Sequence, residues 1–438
     1  MTRLAIGQFS AAQLQIMLAI VYIALIGLIG TVSAEHVAST IYVKNGGSIQ
    51  AAINSANSGD RIVVESGTYA EQLTISKDGI ALIGQNAILV TPPSPTTNTC
   101  SGLAGPDFEG KDTQAGICVE GSDVVLKEFD KEHRKFESVG HRVKGVSITG
   151  FSVSGFLGLN IGIVGAQDTL VTHNTLTDGG YYGLLTVGST NSRIKRNIVV
   201  SSPPTPPNTF LRFIGICMDD EGPVTVRHNV ISGYLIALCL QTDGADIYNN
   251  YVRSCCVGGY VDPGKRGIKI RDNEISDANP VCKNDNSLSF GVWGILFTGA
   301  VDTFVNGNRI SGMTDSKDRP ATGIAVIDDI GTGAVASGNR VVQNQLWNND
   351  VDLVVDTTGN GNVPGTLVAE RLEPLVGCET ASIPEGTVLL RLTAGLTCGK
   401  GGKMATDGTS LLPGKLQGRM WLFYDPSKAV SSGGPNKE

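Results

Sequence analysis

The chain has 438 residues, 41% of them hydrophobic, and carries a formal charge of −7 with an isoelectric point near 5.4. That length supports one large buried core. The acidic balance leaves no strong basic field, which excludes nucleic acid as the natural partner.

The first 34 residues carry one cation, Arg3, then an apolar stretch over 14–30, then Val32-Ser33-Ala34. This order predicts a secretory signal cleaved after Ala34. An uncleaved anchor is the alternative, because the stretch nearly reaches spanning length. No later segment is apolar enough to cross a membrane. The mature chain is therefore expected to be exported, monomeric and without membrane contact.

Residues 48–59 place Ile49, Ala52, Ile53 and Ala56 on one helical face. A β-like run, Arg61-Ile62-Val63-Val64, follows Gly59-Asp60, and Gly67-Thr68-Tyr69 leads into Leu73-Thr74-Ile75. This order resembles the opening of the pectin-lyase-like β-helix superfamily: an amphipathic cap helix, then two characteristic strands. A cap also makes physical sense, since the open end of a solenoid would expose its core. The resemblance covers about residues 41–90 and implies the fold. The superfamily holds lyases, polygalacturonases, esterases, epimerases and inactive proteins, so fold alone does not give function.

An insertion over 92–142 follows, with Cys100 and Cys118 and a charged run at 127–135 that reads as a solvated loop or short helix. Beyond it, Asn174, Asn197, Asn229, Asn250, Asn273, Asn308 and Asn339 each precede an aliphatic residue by two positions. Six also have an aliphatic three residues before; the last has Ala336. Successive gaps are 23, 32, 21, 23, 35 and 31 residues. Short strands separated by Gly, Ser and Asn leave no room for helices between them, so neighbouring turns must stack to bury one face. The prediction is an all-β, right-handed parallel β-helix over 41–362, with an N-terminal amphipathic capping helix. An Asn at a fixed corner is expected to bridge to the Asn above and below.

Longer repeats hold their extra residues at one phase, over 203–210, 278–290 and 313–321, and are expected to wall a groove around Asn229 and Asn250. Residues 363–438 read as a C-terminal cap ending in a disordered tail. Nine Cys in an exported chain predict disulfides: Cys100 with Cys118, Cys378 with Cys398, and Cys282 with Cys255 or Cys256. Cys217 and Cys239 read as core. No Cys/His spacing suggests zinc; His133 and His141 are too isolated.

Counting from the asparagines aligns Asp219-Asp220, Gln241 and Asp262 at equivalent strand ends. Acid clusters at such ends either act as acid and base or hold Ca2+, and both are left open. Two adjacent carboxylates would push one pKa upward; the alternative is a polar turn at Asp219-Asp220-Glu221-Gly222-Pro223. Four and two positions before the ladder Asn, Arg193, Lys195, Arg227, Lys269 and Arg271 form a basic stripe that could clamp carboxylates, or simply solvate a β-face.

Three fragments look like family motifs and depart from them. Gln167-Asp168-Thr169-Leu170 is similar to a pectin methylesterase motif, whose companion motifs are absent. Arg193-Ile194-Lys195 with Asp219-Asp220 is similar to polygalacturonase vocabulary, in reversed order and without its His. Tyr260-Val261-Asp262-Pro263-Gly264 is similar to an epimerase motif, with Gly264 where its His belongs. Leu185, Val187, Cys217, Leu238, Leu240, Val261, Leu296 and Ile327 read as an outward apolar strip, which calls for a cover or an apolar ligand.

The leading expectation is a polysaccharide lyase on a uronic-acid polymer, with Lys265 or Arg266 as base and Asp219, Asp220 and Asp262 in the site. A non-catalytic binding or surface protein and an enzyme on an apolar small molecule are the alternatives.

Overall fold

A computed structural model of the chain describes Gln15 and residues 37–129, 131–204, 211–283, 291–315 and 320–365. The expected signal segment apart from Gln15, the tips of the three loops, and the expected C-terminal cap beyond residue 365 with Cys378 and Cys398 lie outside the described residues. No described helix is long and apolar enough to cross a membrane.

The fold is the right-handed parallel β-helix. Each coil carries one longer strand and two short strands, as in Tyr182–Val187, Arg193–Lys195 and Ile198–Val200. The longer strands stack in register into a ten-stranded parallel sheet, from Leu73–Ile75 through Ile214–Asp219, Ile236–Leu240 and Val257–Val261 to Val351–Asp356. The short strands stack into the walls on either side of the asparagine corner. Three-residue strands are far too short to stand alone; only the stack buries their apolar faces.

The corner is held by a continuous amide ladder. Asn197 Oδ1 accepts from both the backbone N and Nδ2 of Asn174 at 3.1 Å. Its own Nδ2 donates to the Val171 carbonyl of the preceding coil at 3.0 Å. The same three contacts recur at Asn229, Asn250, Asn273 and Asn308. The residue before each rung turns through the left-handed region, for example Arg196 at φ 55° and His228 at φ 56°.

The ladder ends on Asn344, not on the expected Asn339. Asn344 Oδ1 accepts from Asn308 N and Nδ2 at 2.9 Å, and Val341 pairs with Val305. Asn339 sits one corner earlier, bonded to Thr303 N and Asn362. Ala336 had already broken the pattern there, whereas Val341, Asn344 and Leu346 fit it in full.

The cap helix Ile49–Ser55 buries Ile49, Ala52 and Ile53, and Ala56 closes it. Glu71 accepts from the backbone N of Ile49 and Gln50 at the start, and Lys77 Nζ donates to the Ile53, Asn54 and Ala56 carbonyls at the end. Each charge meets the helix end of opposite dipole sign.

The expected insertion over 92–142 is two loops, because Ala115–Glu120 is a strand of the long sheet, paired with Leu73–Ile75 and Leu159–Val164. Cys100–Cys118 pins the first loop to that strand, and Cys256–Cys282 joins another loop to its coil. Cys217, Cys239 and Cys255 are buried and unbridged.

Removing one rung leaves amide groups orphaned in a dry corner. Asn250→Ala is expected to lower the unfolding free energy by about 2–4 kcal/mol. Urea titration checks this; a loss below about 0.5 kcal/mol would contradict the ladder's role.

Candidate functional site

Parallel register aligns the ends of the long strands into one column: Glu120, Val164, Val187, Asp219, Gln241, Asp262, Thr298, Ile327 and Asp356. Asp219, Gln241 and Asp262 occupy three successive coils, as the sequence count implied. Asp262 opens a tight turn in which Lys265 N donates back to its carbonyl at 3.3 Å, with Pro263 and then Gly264 at φ +76° in the middle. Nothing crowds a Cβ at Gly264, so the positive φ is what this turn asks of it.

The charged run folds over this column instead of standing in solvent. Val125–Leu126 pairs antiparallel with Phe136–Ser138. Between them, Glu132, His133 and Lys135 reach the long sheet. Lys135 Nζ lies 3.3 Å from Asp219 Oδ2 and donates to Gln241 Oε1 at 2.5 Å. Gln241 Nε2 donates to Glu132 Oε2 at 2.6 Å. His133 is fully buried, with Nε2 at 3.0 Å from Asp219 Oδ2 and Nδ1 at 3.2 Å from Tyr182 Oη. A carboxylate only accepts, so Nε2–H is the donor. The Tyr182 hydroxyl also lies 3.0 Å from the Glu132 carbonyl.

This setting splits the carboxyls by charge state. Burial works against ionisation of Asp219, but the His133 hydrogen bond and the Lys135 charge outweigh it and bring its pKa to about 2. Burial, Glu132 and Asp219 hold Asp262 well above the usual carboxylate range despite Lys135 and Lys265. One Asp262 oxygen, Oδ1, is buried with no hydrogen-bond partner among the described residues. Burial also opposes the Lys135 charge, yet Asp219, Glu132 and Asp262 outweigh it and keep the ammonium protonated. Burial and Lys135 lower His133, which stays neutral. The column therefore holds an ionised Asp219 and a cationic Lys135 beside an Asp262 whose surroundings favour its protonated form.

Asp220 does not join this group. Its Oδ1 accepts from Ser189 N at 3.1 Å, and its own N donates to Thr242 Oγ1 at 2.8 Å. Ser189 Oγ in turn accepts from Ala166 N. These side chains form a second corner ladder, and Asp220 is one of its rungs. Burial, more than the Asp219 charge, raises its pKa to about 7. The expected rise in one member of the pair occurs, but in the member serving the scaffold.

Lys265 is close enough to act electrostatically on both Asp219 and Asp262. Arg266 is exposed and is held by its backbone N to Asp243 Oδ1 at 2.9 Å. The stripe of Arg193, Lys195, Arg227, Lys269 and Arg271 lies on the short strands of the neighbouring wall and is not brought to the acid column. Arg271 is spent there: it bonds Asp246 through Nε and Nη2 at 3.1 and 2.9 Å and stacks 3.9 Å from the Tyr248 ring.

The apolar strip needs correcting on parity and exposure. Leu238, Leu240 and Val261 alternate with Cys239, Gln241 and Asp262, so they lie on the opposite face of the sheet. Leu185, Val187, Cys217 and Leu296 share the column face and are fully buried, and Ile327 on the same face is half-buried. That removes the motive for an apolar small-molecule ligand. Among the described residues, no three His, Cys, Asp or Glu side chains converge as metal ligands. Lys135 supplies the positive charge between Asp219 and Gln241.

Sequence reasoning missed Glu132, His133, Lys135 and Tyr182. The first three sit in a loop outside the repeat, where counting from the asparagines has no reach. Tyr182 starts a strand the repeat does mark, and an aromatic there was an available signal.

The chain combines a cap helix, three strands per coil and a continuous asparagine corner. The fold is that of the pectin-lyase-like β-helix proteins. No family model and no curated protein matches this sequence. Among solved structures, a Yersinia enterocolitica family 28 exopolygalacturonase is 14% identical, covering 76% of this chain and 78% of its own, with a TM-score of 0.48. An alginate lyase from Paenibacillus sp. str. FPU-7 is 14% identical over 74% of this chain and 99% of its own, at 0.41. DFA-IIIase from Arthrobacter chlorophenolicus A6 is 14% identical over 70% and 83%, at 0.44.

Asp220 gives this β-helix a pH signature. An unfolded Asp ionises near 3.9, whereas the folded group holds its proton to about 7. The folded state thus binds more protons between these values, and stability falls as pH rises through them, by about 4 kcal/mol in all. Asp220→Asn keeps the acceptor for Ser189 N and removes the charge. It is expected to be more stable than the parent near pH 8 and little changed near pH 4, as read by denaturant midpoints at the two pH values.

Proposed function

We propose that this protein is an exported carbohydrate-active enzyme that cleaves an acidic polysaccharide, with Asp219 as base and Asp262 as acid. The observation that carries the reading is a pair of carboxyls in one column whose surroundings push them in opposite directions, beneath a protonated lysine. Two coils separate them, or about 9–10 Å along the sheet. That is near the upper end of the separation inverting glycosidases use to admit a water beside the sugar.

In the proposed step, ionised Asp219 takes a proton from a water that attacks the anomeric carbon. Asp262 gives its proton to the departing glycosidic oxygen, so the bond breaks with neither charge left on the sugar. Lys135, half-exposed on a charged loop, meets the uronate carboxylate, and Gln241 fixes the lysine between the two acids. His133 and Tyr182 are positioning residues for Asp219, with no direct part in the chemistry.

The lyase expectation is retained as a second reading on one observation, the closeness of Lys265 to both acids. Lys135, the best-placed lysine, is held protonated and is unsuited to abstract a proton. Arg266, exposed and with a guanidinium that keeps its proton, is the weaker candidate base.

A panel of uronic-acid polymers separates the readings. Hydrolysis releases new reducing ends without an ultraviolet rise, whereas elimination produces an unsaturated, absorbing sugar. Asp219→Asn and Asp262→Asn are each expected to lower kcat by at least about 100-fold, with folding checked by thermal melts. The absorbance rise with retained activity in both variants would favour elimination by Lys265. No cleavage of any acidic polymer would leave a binding protein.

A further inference from the structure

The wall that carries the basic stripe holds its own site. Arg193, Lys195 and Arg196 lie on one coil, and Arg227 and His228 on the next, with Lys195 in register beside Arg227. Arg193, Arg196 and His228 are exposed and the other two half-buried. No carboxylate of the described residues lies within ion-pair distance of Arg193, Lys195, Arg196 or Arg227, although the chain as a whole is acidic. Partial burial and the surrounding arginines depress both Lys195 and His228, as expected where like charges are held together without a counter-charge. Two coils further along, Arg271 has Asp246 and Asp272 at 2.9 and 3.8 Å, so neutralisation is available on this wall and is absent from this patch.

We infer that Arg193, Lys195, Arg196 and Arg227 form a binding surface for a linear polycarboxylate, apart from the acid column. Naming a uronic-acid polymer as that polycarboxylate rests on the proposed function. Lys195 and Arg227, in register on neighbouring coils, place cations about 4.8 Å apart along the wall, flanked by the Arg193 and Arg196 guanidinium forks, which suits carboxylates spaced along an extended sugar chain. A flat β-wall offers no backbone amide nest for phosphate, because those amides are bonded coil to coil. Stacking on bases is closed off as well: the neighbouring Tyr248 ring has Arg271 at 3.9 Å and Arg227 at 5.8 Å. A densely charged polyphosphate would also meet repulsion from the acidic remainder of the chain. The surface would hold the polymer while a neighbouring stretch reaches the acid column.

The test uses the full chain carrying Asp219→Asn, so that no polymer is cut while binding is measured. Polygalacturonate and alginate are titrated against it, with polyphosphate, duplex DNA and a neutral glucan as comparison arms. Binding to a uronan is expected, growing tighter with chain length and abolished in about 1 M salt, where screening acts over about 3 Å. Adding Arg193→Gln, Lys195→Gln, Arg196→Gln and Arg227→Gln together should weaken it at least about 10-fold, with an unchanged thermal melt. Unaltered affinity in that variant, salt-insensitive binding, or no binding by the parent overturns the proposal. Equal or tighter binding of polyphosphate, DNA or neutral glucan overturns the ligand class. A protein that binds uronans through this wall but never cleaves them keeps the inference and sinks the proposed hydrolysis.

Discussion

Everything in this molecule hangs on the hydrogen bonds of one corner. Each ladder asparagine is buried; its Oδ1 accepts from the backbone N and side chain of the preceding rung, and its Nδ2 donates to the next rung and to a carbonyl of the preceding coil, as at Asn197. The corner can be dry because no donor or acceptor in it is left over. A dry, fixed corner sets the pitch, and a fixed pitch makes residues that are far apart in sequence into neighbours along a column. The acid column and the basic wall are both products of that repetition.

The adjacent residues Asp219 and Asp220 show how little sequence proximity says about role. One peptide bond separates a carboxylate held ionised by His133 and Lys135 from a carboxyl enlisted in a corner ladder. Their environments push the two apart in opposite directions, and neither shift is mainly the work of the other. The partner that matters to Asp219 comes from a loop some 84 positions earlier, from Lys135. The relevant partner of Asp262, two coils on, is that same lysine and the neighbouring carboxylates.

The repeat made the scaffold legible. Periodic asparagines and flanking aliphatics gave the coils and the alignment of Asp219, Gln241 and Asp262, and the spacing of Ile49, Ala52, Ile53 and Ala56 gave the cap helix, since all of these follow from local patterning. The error at Asn339 arose where a longer loop displaced the frame, and Ala336 in place of a larger aliphatic marked the slip. Parity also failed at Leu238, Leu240 and Val261, because a one-residue shift in a strand exchanges its two faces. The loop at 127–135 was opaque for a different reason. Its residues are polar, aperiodic and indistinguishable in composition from a solvated loop; only tertiary contact turns Glu132, His133 and Lys135 toward the sheet.

The left-handed corners carry one more consequence. Arg196, His228, Asn249, Asp272 and Gln343 all adopt the same turn with different side chains, because the following asparagine holds the backbone regardless of what precedes it. The bend is thus uncoupled from the identity of the residue that bends. Along the length of the coil stack this leaves a row of outward positions whose chemistry is free to drift while the geometry stays put. Such a row is a set of interchangeable sockets, one per turn, through which a lineage could restyle the surface without renegotiating the architecture.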